Sequence, residues 1–247
     1  MLRKFPSHRL FEFGMLPASD RDMLHQMAES VRRYPRKTVI RSEGDVPDAI
    51  YLLQEGWVAS SQSAADGKDH IVGVHLPGDV LGSASACLDA AADTLTSITP
   101  VSFRKLAMRH FAHLFATSPT FAAAVFLAAQ RDRIALMDRL HSCATNSSLG
   151  KLAVFLTDIH DRLTGIGLAQ GNTFAMPMTQ MQIGQVLGVS TIQVHRGMNE
   201  LEKRGLVERH SHGITLLDQA GLNDLGPARR RPSDPSAGQR FAGQEVD

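Results

Sequence analysis

The stretch from Met178 to Leu217, MTQMQIGQVLGVSTIQVHRGMNELEKRGLVERHSHGITLL, constrains the fold more than any other part of the chain. Thr179 with Gln182, and Ser190 with Gln193, repeat one pattern, a hydroxyl followed three residues later by a carboxamide. Each pair reads as a capping box, which satisfies backbone groups that a helix start leaves unpaired. Two helices are therefore predicted, with Gly188 as the stop of the first because glycine tolerates a left-handed backbone. Ile183, Val186 and Leu187 supply the buried face of the first helix. In the second, running to about Arg204, Val194, Met198 and Leu201 fall together at the helical period. Ile192, Arg196, Asn199 and Lys203 fall opposite, Ser190 and Thr191 lead, and Gln193 and His195 lie on the flanks. Gly205 ends the helix, and Leu206-Val207 pairs with Ile214-Thr215-Leu216 around Arg209-His210-Ser211-His212-Gly213. The pattern is that of a winged helix-turn-helix, whose second helix has the width and side chains to enter a major groove. An ordinary helical hairpin accounts less well for two capping boxes across one short turn, followed by a wing.

Charge by itself does not name a partner. Residues 145–218 carry six Lys or Arg and six Asp or Glu, so attraction to phosphate must come from local clustering. The whole chain of 247 residues has a formal net charge of +1, with 43% hydrophobic and 21% charged residues, a composition that fits two modest soluble domains. Two cysteines, Cys87 and Cys143, cannot build a disulfide framework and fit a reducing compartment. No apolar run approaches membrane-spanning length, and no signal-type apolar region follows the basic N-terminus. The expectation is a cytoplasmic protein with no membrane partner.

Taken in order, Leu10, Phe11 and Phe13 are candidates to pack on the first domain, and a short helix begins at Pro17 with Ser19 or Asp20 as its cap. From Tyr34 the period shortens. Thr38-Val39-Ile40, Ala49 to Leu53, Trp57-Val58-Ala59 and His70 to Val74 read as strands, separated by turns at Gly44-Asp45, Glu55-Gly56, Asp66-Gly67 and Pro77-Gly78-Asp79. This spacing suggests an antiparallel roll or barrel, closed by strands within Ser97 to Leu106. Met108 to Ser118 reads as a helix broken by Pro119, and a long helix follows from about Thr120 to Ala144. Its apolar stripe runs through Phe121, Val125 and Ala129, then Leu136, Met137 and Leu140. Thr145-Asn146-Ser147-Ser148 is a polar hinge, Leu149 to Leu163 an amphipathic helix, and Gly165 to Gly171 a loop leading to Pro177. After Asp218 the Pro-, Gly- and Arg-containing sequence reads as a disordered tail, with Arg229-Arg230-Arg231 as a solvated charge run.

IGQVLGVSTIQVHRGMNELEKRGLVE resembles the DNA-binding helices of the CRP/FNR family of bacterial transcription regulators, and the resemblance extends from roughly Pro17 to Leu217. RSEGD, IYLLQEGWV, DGKDHIV and LPGDVLG resemble the β-roll of cyclic-nucleotide-binding-type effector domains in order and spacing. The implied fold is α+β: a β-roll over 17–107, a helical connector and dimerisation helix over 108–144, a winged helix-turn-helix over 145–218, and a tail over 219–247. The resemblance implies a homodimer that binds a two-fold-related operator in double-stranded DNA, with RNA polymerase as a further partner of the family's activators. The residues so placed at DNA are Thr179, Gln180, Ser190, Thr191, Ile192, Gln193, His195, Arg196, Asn199 and Lys203. Arg196 matches the family's base-reading arginine, whereas Thr191 and Ile192 stand where the nucleotide-responsive members carry Arg and Glu.

The effector cassette departs from that pattern. Nucleotide-binding members carry Gly-Glu-Leu and then an Arg before Ser or Thr, which neutralise the cyclic phosphate and bind the ribose. Here the region is LGSASACLDAAADTLT: Ser83 follows Gly82 where the Glu would be, and Asp93 precedes Thr94 where the Arg would be. Leu136 and Met137 replace the polar pair that reads the base. The expectation is a degenerate pocket that binds neither cyclic AMP nor cyclic GMP tightly, with the effector unknown. Two cysteines are too few for an iron–sulfur cluster, and no histidine has a haem-like setting. Cys87 reads as a buried small residue before a redox thiol. No cofactor or metal is expected, and no catalytic motif appears, so the chain does not read as an enzyme. The alternative function is a ligand-binding module whose winged helix makes protein contacts.

Overall fold

The structure, a computed structural model, describes residues 16–64, 67 and 69–226. The expected packing of Leu10, Phe11 and Phe13, and the arginines of the C-terminal run, lie outside the described residues. Among these residues the chain forms two compact units, 16–63 with 74–134, and 64–73 with 135–226.

The first unit opens with helix α1 (Ala18–Met27). Its N-cap is Pro17, with no side-chain cap, and not Ser19 or Asp20 as the sequence suggests. Asp20 instead accepts hydrogen bonds from the hydroxyls of Ser118 and Thr120, far along the chain. Strands β1 (Arg32–Tyr34), β2 (Val39–Arg41), β3 (Ala49–Glu55), β4 (Val58–Ser63), β5 (Asp69–His75), β6 (Val80–Leu81), β7 (Thr94–Ser97) and β8 (Val101–Ala107) build two four-stranded sheets, ordered β1-β8-β3-β6 and β2-β7-β4-β5. A short 3-10 helix, Ser83–Cys87, lies between β6 and β7. Cys87 is exposed, against the expectation of a buried small residue.

Strand β3 explains why Ala49 to Leu53 is apolar without alternation: both of its faces are covered. Alternate side chains point to opposite faces of a strand. Ile50 and Leu52 pack with Leu24, Leu106, Leu114 and Phe121 in one core cluster. Tyr51 and Leu53 pack with Val58, Leu81, Leu95 and Phe103 in the other. Phe103 anchors the second cluster, stacked on Tyr34 and edge-on to Tyr51 at centroid distances of 5.3 Å each. Helix α2 (Met108–Thr117) supplies Leu114 to the first cluster, and helix α3 (Pro119–Thr145) supplies Phe121 and Ala124. Pro119 separates the two helices as expected: α2 stops at Thr117 and Pro119 is the first residue of α3, a position where its missing N–H costs nothing.

Beyond its first turns α3 changes character. Phe126, Ile134, Leu136, Met137 and Leu140 are exposed by 49%, 38%, 54%, 56% and 71%, which leaves the second half of the predicted stripe uncovered in the single chain.

The second unit is built on helix α4 (Ser148–Gly165), whose N-cap is Ser147. Leu152, Ala153, Leu156, Ile159 and Leu163 are buried along it. Strand β9 (Thr173–Ala175), helices α5 (Gln180–Leu187) and α6 (Thr191–Lys203), strands β10 (Val207–Arg209) and β11 (Gly213–Leu216), and helix α7 (Gln219–Leu225) complete it. The wing is a three-stranded sheet, β10-β11-β9, with Val207 opposite Leu216 and Ile214 opposite Phe174. Strand β9 follows the expected loop, Gly165 to Gly171, in the stretch before Pro177, where three residues are too few to reveal alternation. The tail expectation also needs correction at its start. Asp218 caps α7 through the Gly221 N–H at 3.0 Å, and Leu222 is fully buried. This helix sits close against α4: a Cβ on Gly150 would stand 2.5 Å from the Leu225 carbonyl oxygen.

Candidate nucleic-acid interface

Both capping boxes form as the sequence predicts. Thr179 Oγ1 accepts from the Gln182 N–H at 3.2 Å while Gln182 Oε1 accepts from the Thr179 N–H at 2.9 Å. Ser190 and Gln193 repeat the arrangement at 3.2 and 2.9 Å. Gly188 takes the left-handed conformation between the two helices, with φ of 64°. Gly197 has a different task. A Cβ there would meet Leu152 Cδ2 at 2.9 Å, so its absence lets α6 approach α4. Val194, Met198 and Leu201 are buried on the same side.

The opposite side of α6 is open. Ser190, Thr191, Ile192, Gln193, His195, Arg196, Asn199 and Lys203 are all exposed, as is Thr179, while Gln180 is half-buried. Exposure does not make each of them available. The Gln193 carboxamide is satisfied within the chain, its oxygen by Ser190 and its Nε2 by donation to Ser148 Oγ at 3.1 Å. Thr179 and Ser190 are likewise engaged as caps. Thr191, Ile192, Arg196 and Lys203 form the unengaged face.

The ion pairs explain how a neutral domain acquires a basic reading surface. Three of its six cations are paired internally: Arg162 with Asp158, Arg204 with Glu200, and Arg209 with Glu202. Hydrogen bonding from Arg204 and from Arg209 holds the carboxyls of Glu200 and Glu202 below the usual range. The two acids of α6 itself are thereby neutralised in place. Lys151, Arg196 and Lys203 have no ion-pair partner among the described residues, and two of these three lie on α6.

Arg209 also organises that face, a role the sequence reading did not assign to it. Its Nη2 donates to Glu202 and, at 2.8 Å, to Asn199 Oδ1. With its oxygen so occupied, the Asn199 amide presents Nδ2 to His195 Nε2 at 3.2 Å. With the amide so oriented, His195 Nε2 is the acceptor of that contact. The wing strand thus fixes the donor and acceptor pattern of two side chains on the reading helix.

Of the expected effector positions, Gly82, Ser83, Asp93 and Thr94 lie in the first unit. Gly82 adopts φ of 80° ahead of the 3-10 helix that Ser83 begins. Thr94 Oγ1 accepts from the Glu43 N–H at 2.9 Å. Asp93 is not a lone negative charge: it is ion-paired with Arg41 of β2 and accepts from Ser60 Oγ. Arg41 follows the expected strand Thr38-Val39-Ile40, and simple alternation would place it beside the exposed Val39; the irregular register between Val39 and Arg41 turns it inward instead. Leu136 and Met137 lie on α3 in the second compact unit, both more than half exposed.

Comparison with known proteins agrees with this architecture. Residues 31–118 match the model of the cyclic nucleotide-binding domain, and residues 150–225 match that of the Crp-like helix-turn-helix domain. The chain is 28% identical over 217 residues to the transcriptional activatory protein AadR of Rhodopseudomonas palustris, covering 87% of this chain and 88% of that protein. It is 29% identical over 188 residues to the nitrogen fixation regulation protein FixK of Bradyrhizobium diazoefficiens, covering 76% and 78%. The structure of FixK2 from Bradyrhizobium japonicum superposes with a TM-score of 0.74 at 22% identity, covering 82% of this chain and 99% of that one. Two matched domains in family order, with relatives matched over more than three quarters of their own length, identify the chain as a DNA-binding transcription regulator of the CRP/FNR family.

Proposed function

We propose that this regulator binds a two-fold-related operator as a homodimer, with α6 of each protomer in successive major grooves about one helical turn apart. The observation that carries the reading is the pair of cations without an ion-pair partner, Arg196 and Lys203, on the exposed face of a helix with an N-terminal capping box whose own acids, Glu200 and Glu202, are neutralised. Arg196 reads a guanine edge by two hydrogen bonds, and Thr191 and Ile192 offer a hydroxyl and apolar groups suited to a thymine methyl. Asn199 and His195 act as a pair whose pattern Arg209 sets, and Lys203 meets phosphate.

The exposed stripe Leu136, Met137 and Leu140 on α3 supports self-association through that helix, since an apolar face of this kind is normally covered. The protein works in the cytoplasm as a regulator and not as an enzyme. It contacts RNA polymerase if it activates, and it needs no cyclic nucleotide to bind DNA. Among the described residues no single helix is long and apolar enough to cross a membrane.

Fluorescence anisotropy on a selected operator and on a scrambled duplex, with sedimentation of the free protein, tests the proposal. Dimers that discriminate between the duplexes without added ligand are expected. A stable monomer that binds the palindrome tightly, or equal affinity for both duplexes, contradicts it.

A further inference from the structure

The β-roll holds a buried charge pair that DNA binding does not use. Arg41, on β2, is 5% exposed, an uncommon place for a guanidinium. Its Nη2 donates to Asp93 Oδ1 and, at 3.2 Å, to the Asp93 carbonyl oxygen. The other carboxylate oxygen of Asp93 accepts from Ser60 Oγ, and Ser60 is 6% exposed. Gly82 closes the opposite side, where a Cβ would stand 2.8 Å from Arg41 Nη1. The guanidinium therefore lies between the two ends of the degenerate cassette. Its Nε and Nη1 are buried without a hydrogen-bond partner among the described residues. A guanidinium presents five N–H donors in a fork suited to oxyanions, and this one uses only Nη2.

We propose that Arg41 is the anion-recognition group of this β-roll and that Asp93 is its built-in anion, a carboxylate occupying the place of a small oxyanion ligand. The cation comes from β2 and the anion from the cassette, so the sign at the cassette is reversed and the charge is satisfied internally. A ligand bearing phosphate has to displace Asp93 from both Arg41 and Ser60, and the displaced carboxylate then sits beside the incoming charge. The wild-type pocket is thereby closed to phosphorylated effectors, and removing the carboxylate opens it to small oxyanions. The regulatory meaning of this rests on the cyclic-nucleotide-independent reading above, but the occupancy of Arg41 does not depend on DNA.

Asp93→Ala deletes a group the size of formate, which defines the probe. Thermal unfolding of the full-length variant is followed in sodium formate and in sodium chloride at equal ionic strength. The expected result is a melting temperature several degrees below wild type in chloride that rises saturably with formate, as for any ligand bound only by the folded state. Wild type shows no such difference between the salts, and an Arg41→Met, Asp93→Ala double variant loses the formate response. If Asp93→Ala does not stay folded in chloride, refolding yield from urea reads the same binding, with a higher yield in formate expected. Equal melting temperatures or equal yields in the two salts overturn the proposal, as does micromolar binding of cyclic AMP to wild type by calorimetry. A formate response in a protein that fails to bind DNA leaves Arg41 and Asp93 as assigned and removes the regulatory reading instead.

Discussion

Replacing Arg209 by Ala separates an internal clamp from a DNA contact. In the structure its guanidinium bonds Glu202 and Asn199, and both Arg209 and Glu202 side chains are 32% exposed. A pair so exposed is worth at most about 1 kcal/mol to folding, so the variant stays folded with a small fall in Tm. The larger effect falls on recognition. Without Arg209 the Asn199 amide is free to flip, and His195 loses its fixed acceptor. One hydrogen-bond pattern per half-site is then unspecified, at roughly 1 kcal/mol, or about fivefold in discrimination per half-site. The freed Glu202 carboxylate also repels phosphate, and Glu202→Gln in the same chain removes that repulsion without restoring discrimination. The assay is anisotropy on operators varied one step at a time, repeated across salt concentrations. A phosphate contact would instead give a log K against log salt slope smaller by roughly 0.9 per half-site with base preference intact. That outcome would refute the clamp.

Arg196→Ala is expected to cost roughly 1–3 kcal/mol per half-site in specific affinity with little loss of non-specific binding, measured against a scrambled duplex. Leu140→Asp on α3 removes an apolar group that is 71% exposed in the protomer. Folding should survive, while the two symmetric copies cost the dimer roughly 3–6 kcal/mol, read by sedimentation equilibrium. Because Glu202 is held low by Arg209, the tie between wing and helix is present above the ordinary carboxylate value of about 4.3 and is lost only as pH falls through the lower folded value. An NMR titration of Glu202 should show a depressed midpoint in wild type and an ordinary one in Arg209→Ala.

The sequence made the local elements legible wherever their determinants are themselves local. Both capping boxes and the Gly188 stop come from adjacent residues, and all formed. The exposed face of α6 follows from period alone, with Val194, Met198 and Leu201 turned inward. What sequence could not show is which exposed groups are already spent. Gln193 looks free, yet its carboxamide serves Ser190 and Ser148, and the second partner is far away in the chain. The same holds for Asp93, whose carboxylate is already occupied by Arg41, 52 positions earlier. Helix α7 was hidden for a compositional reason. It is short, carries few apolar residues and borders a Pro-rich stretch, so only its packing on α4 reveals it.

Selection of bound duplex from a random pool by the purified protein, with no nucleotide added, tests directly whether the two copies of α6 read a symmetric site. Enrichment of an inverted repeat whose half-sites are spaced about one helical turn apart is expected. Each half-site should contain a guanine whose preference disappears in Arg196→Ala. Enrichment only when cyclic AMP is present, an unpaired single half-site, or no enrichment over the input pool would contradict it.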